Sequence, residues 1–160
     1  MEPLYHLTNI DYDENSLIEE AKKYEDVSPT YYDPRYQEYT EGWKIIKDPQ
    51  YALPQAKKVS KQFLLENLKI RYYILERNII LPIHTDNNTQ CSINIILSKD
   101  YSPITVNGDD YYYKSCILNT TLPHGVKNLK DKRYLLKFTI MDKSFEECVN
   151  HLKTIGVIEA

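Results

Sequence analysis

The chain has 160 residues and a formal net charge of −3. With 42% hydrophobic and 27% charged residues, it has the composition of a globular protein, which excludes the disordered and fibrous classes, and its length predicts a single domain over residues 1–160. The acidic balance and the dispersed basic residues count against a nucleic-acid-binding surface.

The sequence favours neither a membrane span nor a signal peptide. No apolar run approaches the roughly 20 residues that a membrane span requires, and Met1–His6 is acidic and aromatic where a signal peptide is basic and then apolar. The cysteines, Cys91, Cys116 and Cys148, are odd in number and far apart, which indicates small buried side chains and argues against a disulfide framework or a zinc knuckle. We therefore expect a cytoplasmic protein without a membrane partner.

The first part of the chain predicts helices and loops. An apolar stripe predicts a helix that is capped by Asn15 or Ser16 and lies against a sheet. Residues 28–40 contain two prolines and four tyrosines without periodicity, so they predict a loop. A second helix is predicted over residues 57–68. The apolar positions of the two helices are Leu17, Ile18, Ala21 and Tyr24, followed by Val59, Phe63, Leu64 and Leu68.

From Lys69 the pattern changes to short runs of β-branched and aromatic residues separated by turn residues, which is typical of strands. The pair Asn107 and Gly108 predicts a tight hairpin turn between two of these strands. Strands that recur about every ten residues favour a barrel or a sandwich. The predicted strands span residues 69–76, 79–86, 91–97, 102–106, 111–118, 122–126 and 133–141.

A closing helix is predicted from Ser144, because Ser144 and Glu147 have the spacing of a capping box, and it ends near Gly156. The complete pattern predicts a mainly β protein with a jelly-roll core and flanking helices. The expected parts are an N-terminal helical and loop segment over residues 1–68, the core over 69–142 and the C-terminal helix over 143–160.

Two histidines and an aspartate form a candidate metal site. His84 and Asp86 lie at the end of the predicted strand 79–86, where residues i and i+2 point to the same face. This pair alone is common in proteins, and His84 can equally be an ordinary residue at a strand end. His124 follows a second strand, within residues 121–126, that a jelly roll can bring face to face with the first. Two histidines and one carboxylate leave three metal positions open, as non-haem Fe(II) oxygenases require.

Arg133 begins a later strand, nine residues after His124. A guanidinium inside a barrel needs an anionic partner. The distal carboxylate of a cosubstrate can supply a bidentate one. Arg133 is therefore the predicted cosubstrate anchor.

In these segments the sequence resembles the 2-oxoglutarate/Fe(II)-dependent oxygenases, and most closely their aspartyl/asparaginyl β-hydroxylase-like branch. The resemblance covers roughly residues 69 to 142. It depends on the segments Leu81–Asp86, Cys91–Leu97 and Pro123–Asn128, the last of which runs into Arg133.

The resemblance implies a double-stranded β-helix fold in which His84, Asp86 and His124 are the catalytic metal ligands for Fe(II). It also implies that Arg133 binds the far carboxylate of 2-oxoglutarate. With O2, such an enzyme hydroxylates a C–H bond of an amino acid, a peptide side chain or another small substrate. Some members of this branch lack the carboxylate ligand, whereas Asp86 is present here.

Further cosubstrate contacts are expected from neighbouring strands. Ser92 and Asn94 share a face, and Tyr73 lies on the strand before His84 with Arg71 on the same side. Tyr73 can equally be a core tyrosine. Lys137 departs from the pattern because alternation puts it on the same face as Arg133. Either a bulge turns Lys137 outward, or it pairs with an internal acid.

The segment around residues 31–43 is the candidate substrate wall, with an arginine that can anchor a carboxylate or phosphate. The alternative is that its aromatic rings only cover one end of the barrel. The residues concerned are Arg35, Tyr31, Tyr32, Tyr36, Tyr39 and Trp43.

Two other interpretations stay open. A cupin-like metal enzyme would use the metal without 2-oxoglutarate, so Arg133 would be dispensable. A non-catalytic jelly-roll interaction module would have packed histidines and a melting temperature that does not respond to metal.

Overall fold

The computed structural model describes residues 1–28, 30–33, 38–86 and 89–159. These residues form eleven strands, three α-helices and one short 3-10 helix at Lys61–Phe63. The helices are α1 (Glu14–Glu25), α2 (Pro54–Ser60) and α3 (Phe145–Thr154). The strands are β1 (Leu4–His6), β2 (Thr30–Asp33), β3 (Glu38–Lys47), β4 (Leu68–Leu75), β5 (Ile79–His84), β6 (Cys91–Ile96), β7 (Ile104–Val106), β8 (Asp109–Tyr111), β9 (Ser115–Asn119), β10 (His124–Asn128) and β11 (Arg133–Ile140).

The strands form two antiparallel sheets. Seven strands make the larger sheet in the order β1-β9-β6-β11-β4-β3-β2, and four make the smaller one in the order β5-β10-β7-β8. From β4 to β11 the chain passes back and forth between the two sheets, which is the winding of a jelly roll. The predicted mainly β fold with a jelly-roll core and flanking helices is confirmed.

One face of the larger sheet packs against the helices. Its side chains alternate with those of the other face, so every second residue of β4, β6 and β11 enters this core. The core includes Ile46, Tyr72, Ile93, Leu136 and Phe138 from the sheet and Leu17, Phe63, Val149 and Leu152 from the helical segments.

The opposite face of the larger sheet points toward the smaller sheet and presents ordered rows of side chains. Strand register places residues of β3, β4, β11 and β6 beside one another in each row. The first row is apolar except for one cation, and the third is strongly polar. The rows are Trp43, Leu75 and Arg133; Ile45, Tyr73, Leu135 and Ile96; Lys47, Arg71, Lys137 and Asn94; and Lys69, Thr139 and Ser92.

Helix α1 begins after Asp13, not at Asn15 or Ser16 as predicted. The Asp13 carboxylate accepts from the backbone N–H groups of both residues, at 3.0 and 3.3 Å, so the cap lies two residues before Asn15. Further along the helix, the buried carboxylate of Glu20 accepts from the Tyr72 hydroxyl at 2.8 Å and from two N–H groups at the start of α2. This carboxylate ties α1 to α2 and to the sheet.

The prediction that residues 28–40 form a loop is wrong. The segment contains β2 and the start of β3, which form the outer edge of the larger sheet. Its prolines, Pro29 and Pro34, flank β2 in sequence instead of interrupting it, and an edge strand tolerates proline nearby. Tyrosine and threonine favour strands at such positions.

The predicted helix over residues 57–68 is also wrong in its bounds. Pro54 starts α2 earlier, since proline suits the first helical turn. Leu64 and Asn67 have positive φ angles of 50° and 57°, which end the helical segment before β4. Leu64 is 69% exposed and does not share the buried side of Phe63.

The sheet core follows the predicted strands with three corrections. The predicted strand 79–86 ends at His84, the predicted strand 111–118 is divided between β8 and β9, and the predicted strand 122–126 is displaced to His124–Asn128. The hairpin turn at Asn107 and Gly108 is confirmed, with φ angles of 52° and 85°. The capping box at the start of α3 is confirmed, and the cysteines are buried, as predicted. Within the described residues, no helix is both long and apolar enough to span a membrane.

Candidate metal centre

Three side chains converge between the two sheets. His84 ends β5, Asp86 follows two residues later, and His124 begins β10; one ligand atom from each lies within 4.8 Å of the others. The Oδ1 atom of Asp86 is 3.4 Å from Nε2 of His84 and 3.6 Å from Nε2 of His124. The structure thus brings together the three residues that the sequence analysis selected.

A β-bulge places the two histidines. His84 pairs directly with His124, but Val126 pairs with Leu81, so two residues of β5 face a single residue of β10. The extra residue reverses the alternation of β5, and both Leu81 and His84 therefore face the cavity. The single residue opposite the bulge is Gly125, where a Cβ atom would lie only 2.7 Å from the Leu81 carbonyl oxygen.

Backbone carbonyl groups orient both imidazole rings. The Nδ1 atom of His84 lies 2.7 Å from the carbonyl oxygen of Pro82, and Nδ1 of His124 lies 2.7 Å from that of Leu122. A carbonyl oxygen only accepts, so Nδ1 donates to it in each ring, and in the neutral form of the ring that binds a metal the lone pair lies on Nε2. The two Nε2 lone pairs and Asp86 Oδ1 are then three acceptors that face one another, which is the donor set that a cation fills.

Asp86 is held at both ends. Its backbone N–H donates to the Thr120 carbonyl at 3.1 Å, and Lys137 Nζ lies 3.4 Å from Oδ2, the oxygen that faces away from the histidines. Burial raises the pKa of Asp86, but the contacts with His84 and the charge of Lys137 outweigh this and hold the pKa well below its usual range. Burial lowers the pKa of His124. An ionised carboxylate and a neutral imidazole are the forms that bind a metal.

Two histidines and a carboxylate fit a divalent transition metal such as Fe(II). Among the described residues, the cluster has no fourth protein ligand. Coordination positions are therefore left for other molecules. Ca²⁺ and Mg²⁺ prefer oxygen ligands and do not suit a site with two imidazoles.

The metal centre opens into a cavity of 410 Å³ between the sheets, and Arg133 lines the same cavity. Arg133 is 4% exposed and donates from Nη1 to the Ser102 carbonyl at 2.8 Å. It forms no ion pair with any residue that the structure describes. A buried guanidinium without a carboxylate partner is unfavourable unless an anion binds beside it.

A chain of polar side chains links Arg133 to β6. Ser92 Oγ donates to Asn94 Oδ1 at 2.9 Å, Asn94 Nδ2 donates to the Tyr113 hydroxyl at 3.3 Å, and this hydroxyl also contacts Arg133. Burial raises the pKa of Tyr113 to about 12, so its hydroxyl keeps its proton. Tyr113 was missed by the sequence analysis, because a tyrosine in a region predicted as continuous strand carried no signal of this contact.

Tyr73 lies one row from Arg133 and contacts other cations. Arg71 Nη1 lies 3.4 Å from the Tyr73 hydroxyl, and Lys137 Nζ lies 5.3 Å from the centre of the Tyr73 ring. Of the two alternatives for Lys137, the structure has the second, since Lys137 faces inward and pairs with Asp86.

The candidate substrate wall is only partly described. Trp43 lines the cavity and is 8% exposed. Arg35 and Tyr36 lie outside the described residues, as do the side chains of Tyr31, Tyr32 and Tyr39.

Comparisons with known proteins found solved structures that are similar to this chain. No protein-family model matches the sequence, and no curated protein matches it. A prolyl-4-hydroxylase from Pseudomonas putida is similar with a TM-score of 0.65 at 15% identity, over 88% of this chain and 94% of its own. The core is a double-stranded β-helix.

A salicylate 1,2-dioxygenase from Pseudaminobacter salicylatoxidans is also similar, with a TM-score of 0.46 at 10% identity over 88% of this chain. This chain spans 34% of the length of the salicylate dioxygenase. At these identities the likeness describes the fold.

Proposed function

We propose that this chain is an Fe(II)- and 2-oxoglutarate-dependent dioxygenase that hydroxylates a C–H bond of an amino acid, a peptide side chain or another small substrate. One observation carries the proposal. The acceptor cluster of His84, Asp86 and His124 opens into the same cavity between the sheets as Arg133, which has no ion-pair partner among the described residues. A metal and a dicarboxylic acid together meet both requirements.

The protein would hold Fe(II) through Nε2 of His84, Nε2 of His124 and Oδ1 of Asp86. Lys137 contacts the other carboxylate oxygen, which keeps Oδ1 turned toward the imidazoles. The carbonyl partners of the two Nδ1 atoms fix the ring planes before any metal binds. The ligands are thus arranged in advance.

The far carboxylate of 2-oxoglutarate would bind to Arg133. The Ser102 carbonyl and the Tyr113 hydroxyl each accept from the guanidinium, whose other N–H groups are left for the carboxylate. Tyr113 lies beside the guanidinium, and its protonated hydroxyl donates to the same carboxylate. Asn94 donates to the Tyr113 hydroxyl and itself accepts from Ser92, so these two residues hold Tyr113 in position.

When bound, Fe(II) and 2-oxoglutarate supply the oxidation, in which one oxygen atom of O2 enters the substrate C–H bond and the other enters succinate, released with CO2. The chain's own part is placement and exclusion of water. Leu75, Leu81, Val126 and Leu135 line the cavity around the polar groups and keep bulk water away.

The likeness to the prolyl-4-hydroxylase structure describes the fold and does not select a branch of the oxygenases, so the choice of branch is a separate proposal. The aspartyl/asparaginyl β-hydroxylase-like branch is proposed on the sequence segments Leu81–Asp86, Cys91–Leu97 and Pro123–Asn128 alone.

The test is an anaerobic optical titration of the metal-free protein with Fe(II) and then with 2-oxoglutarate. The wild type is expected to develop a visible charge-transfer band after the second addition. Asp86→Ala should abolish the band by removing a ligand. Arg133→Gln should still bind Fe(II) but need much more 2-oxoglutarate to reach the same band.

Arg77→Gln is the matched control, because Arg77 is an exposed arginine outside the cavity. Its titration should match that of the wild type. Absence of the band in a folded, Fe(II)-bound wild type would refute the use of 2-oxoglutarate and favour a cupin-like metal enzyme. Absence of Fe(II) binding, with a melting temperature that does not respond to Fe(II), would refute the metal centre itself.

A further inference from the structure

Three cations lie side by side on the cavity face of the larger sheet. Lys47 of β3 pairs with Arg71 of β4, and Arg71 pairs with Lys137 of β11, so the three residues occupy one row across adjacent strands. All three line the cavity. We call Lys47, Arg71 and Lys137 the cation row.

The charge of the cation row is not balanced within the cavity. Like charges directly opposite each other on neighbouring strands are destabilising. Lys137 contacts Asp86, but Lys47 and Arg71 form no ion pair with any residue in the described ranges. Among the described residues that line the cavity, Asp86 is the one carboxylate, against the cations Lys47, Lys69, Arg71, Arg133 and Lys137.

This excess is local, because the whole chain has a net charge of −3. A cavity of one sign with low-dielectric walls concentrates ligands of the opposite sign. The positive cavity inside an acidic protein therefore selects anions.

The anion that binds to Arg133 cannot also neutralise the row. Arg133 and Lys137 are four residues apart on β11, which is about 13 Å along an extended strand. Arg71 and Lys47 lie one and two strands beyond Lys137, so their backbones are about 5 and 10 Å from that of Lys137 across the sheet. A cosubstrate that extends from Arg133 to the metal centre leaves these two cations without an anionic partner.

Tyr73 supports the row from beneath. Its ring lies under the Lys137 ammonium and its hydroxyl lies beside the Arg71 guanidinium. Both cations are half-buried, whereas Lys47 is exposed at the outer end of the row. The row thus leads from solvent to the carboxylate of Asp86.

We infer that the substrate is a small oxyanion, a carboxylate or a phosphate, whose charged group binds to Arg71 and Lys47 while its reacting carbon reaches the metal centre beside Lys137. This inference deepens the proposed function and depends on it for the reaction. The binding of the anion depends on the cation row alone.

The first test is calorimetric titration of the metal-free protein with inorganic phosphate and, separately, with acetate. At least one anion should bind to the wild type, and Arg71→Gln should weaken that binding about tenfold, as expected for loss of a charged hydrogen-bond partner. Lys47→Gln should weaken it less because Lys47 is exposed. Arg133→Gln should leave binding at the row in place, and Arg77→Gln should match the wild type.

The second test measures succinate release with pairs of small molecules that differ only in carboxylate against carboxamide, or in phosphate against hydroxyl. The anionic member of one pair should stimulate turnover more than its neutral partner, and the pair identifies the oxyanion. In Arg71→Gln the KM for that molecule should rise about tenfold, whereas the anaerobic Fe(II) and 2-oxoglutarate titration should not change.

The inference would be overturned if the wild type and Arg71→Gln bound phosphate and acetate equally. It would also be overturned if every neutral molecule stimulated turnover as much as its anionic partner. The titration with anions needs neither iron nor 2-oxoglutarate. Its failure is therefore distinct from a failure of the proposed function, which the charge-transfer band reports.

Discussion

Replacing Gly125 with alanine tests whether the close approach of β5 and β10 sets the metal site. The added Cβ atom would lie 2.7 Å from the Leu81 carbonyl oxygen and 3.0 Å from the backbone nitrogen of Ile83. Ordinary contact begins near 3.4 Å. The contact with Leu81 must lengthen from 2.7 to 3.4 Å, which moves the two strands about 0.7 Å apart.

This displacement occurs where His84 and His124 pair, so it changes the distance between two proposed ligands. Metal–ligand distances in proteins hold to about 0.2 Å, and a shift of 0.7 Å exceeds that tolerance more than threefold. We expect the affinity for Fe(II) to fall at least about tenfold. The free energy of unfolding of the metal-free protein should fall by about 2 kcal/mol, as overpacking does elsewhere.

The assay combines anaerobic calorimetric titration with Fe(II) and urea denaturation of the metal-free protein. Gly108→Ala is the matched control, since a Cβ atom there meets nothing within 4 Å but the residue has a φ of +85°. It should lower stability by about 1 kcal/mol through backbone strain and leave Fe(II) affinity unchanged. If Gly125→Ala binds Fe(II) as tightly as the wild type, the bulge does not determine the site.

Three further predictions concern the scaffold. Glu20→Ala leaves the Tyr72 hydroxyl and two backbone N–H groups without an acceptor, so urea denaturation should show a loss of about 3 kcal/mol; a loss below about 1 kcal/mol would contradict this account. Burial raises the pKa of Glu25, but hydrogen bonds from Lys132 and Tyr134 outweigh it and hold the pKa below its usual range. The stabilisation by the ionised carboxylate is therefore present above the ordinary glutamate pKa and is lost as the pH falls through the lowered one, so Glu25→Gln should be less stable than the wild type at about pH 7, with the difference vanishing in acid; a difference that persists in acid would contradict it. Ser144→Ala removes an observed cap and should lower the melting temperature, equivalent to about 1 kcal/mol, whereas Ser144→Asp should retain it.

Local patterns in the sequence were enough to predict the double-stranded core. Alternating apolar residues located most of its strands, and Asn107 with Gly108 located a hairpin, because both signals depend on neighbours in sequence. The meeting of His84 and His124 followed once the strands were assigned to a jelly roll. The predicted strand was too long to its C-terminal side, since β5 ends at His84, but the Asp86 carboxylate lines the same cavity as His84.

The remaining features depend on contacts between distant residues. Strands β2 and β3 are stabilised by pairing along the edge of the larger sheet, a contact that no local pattern in residues 28–40 reveals. The cation row could not be recognised without β3, because Lys47 joins Arg71 only through strand register. The contact of Tyr113 with Arg133 likewise depends on tertiary packing.

The two sheets contribute different chemistry to the cavity. Both histidines belong to the smaller sheet, and Asp86 follows its edge strand, whereas Arg71 and Lys47 belong to the larger sheet. Substitutions on β3 and β4 can therefore remove the excess positive charge of the cavity without moving a metal donor. Glutamate in place of these two cations would favour substrates that carry an amine. Substrate specificity can therefore be redesigned on the larger sheet while the metal ligands of the smaller sheet stay unchanged.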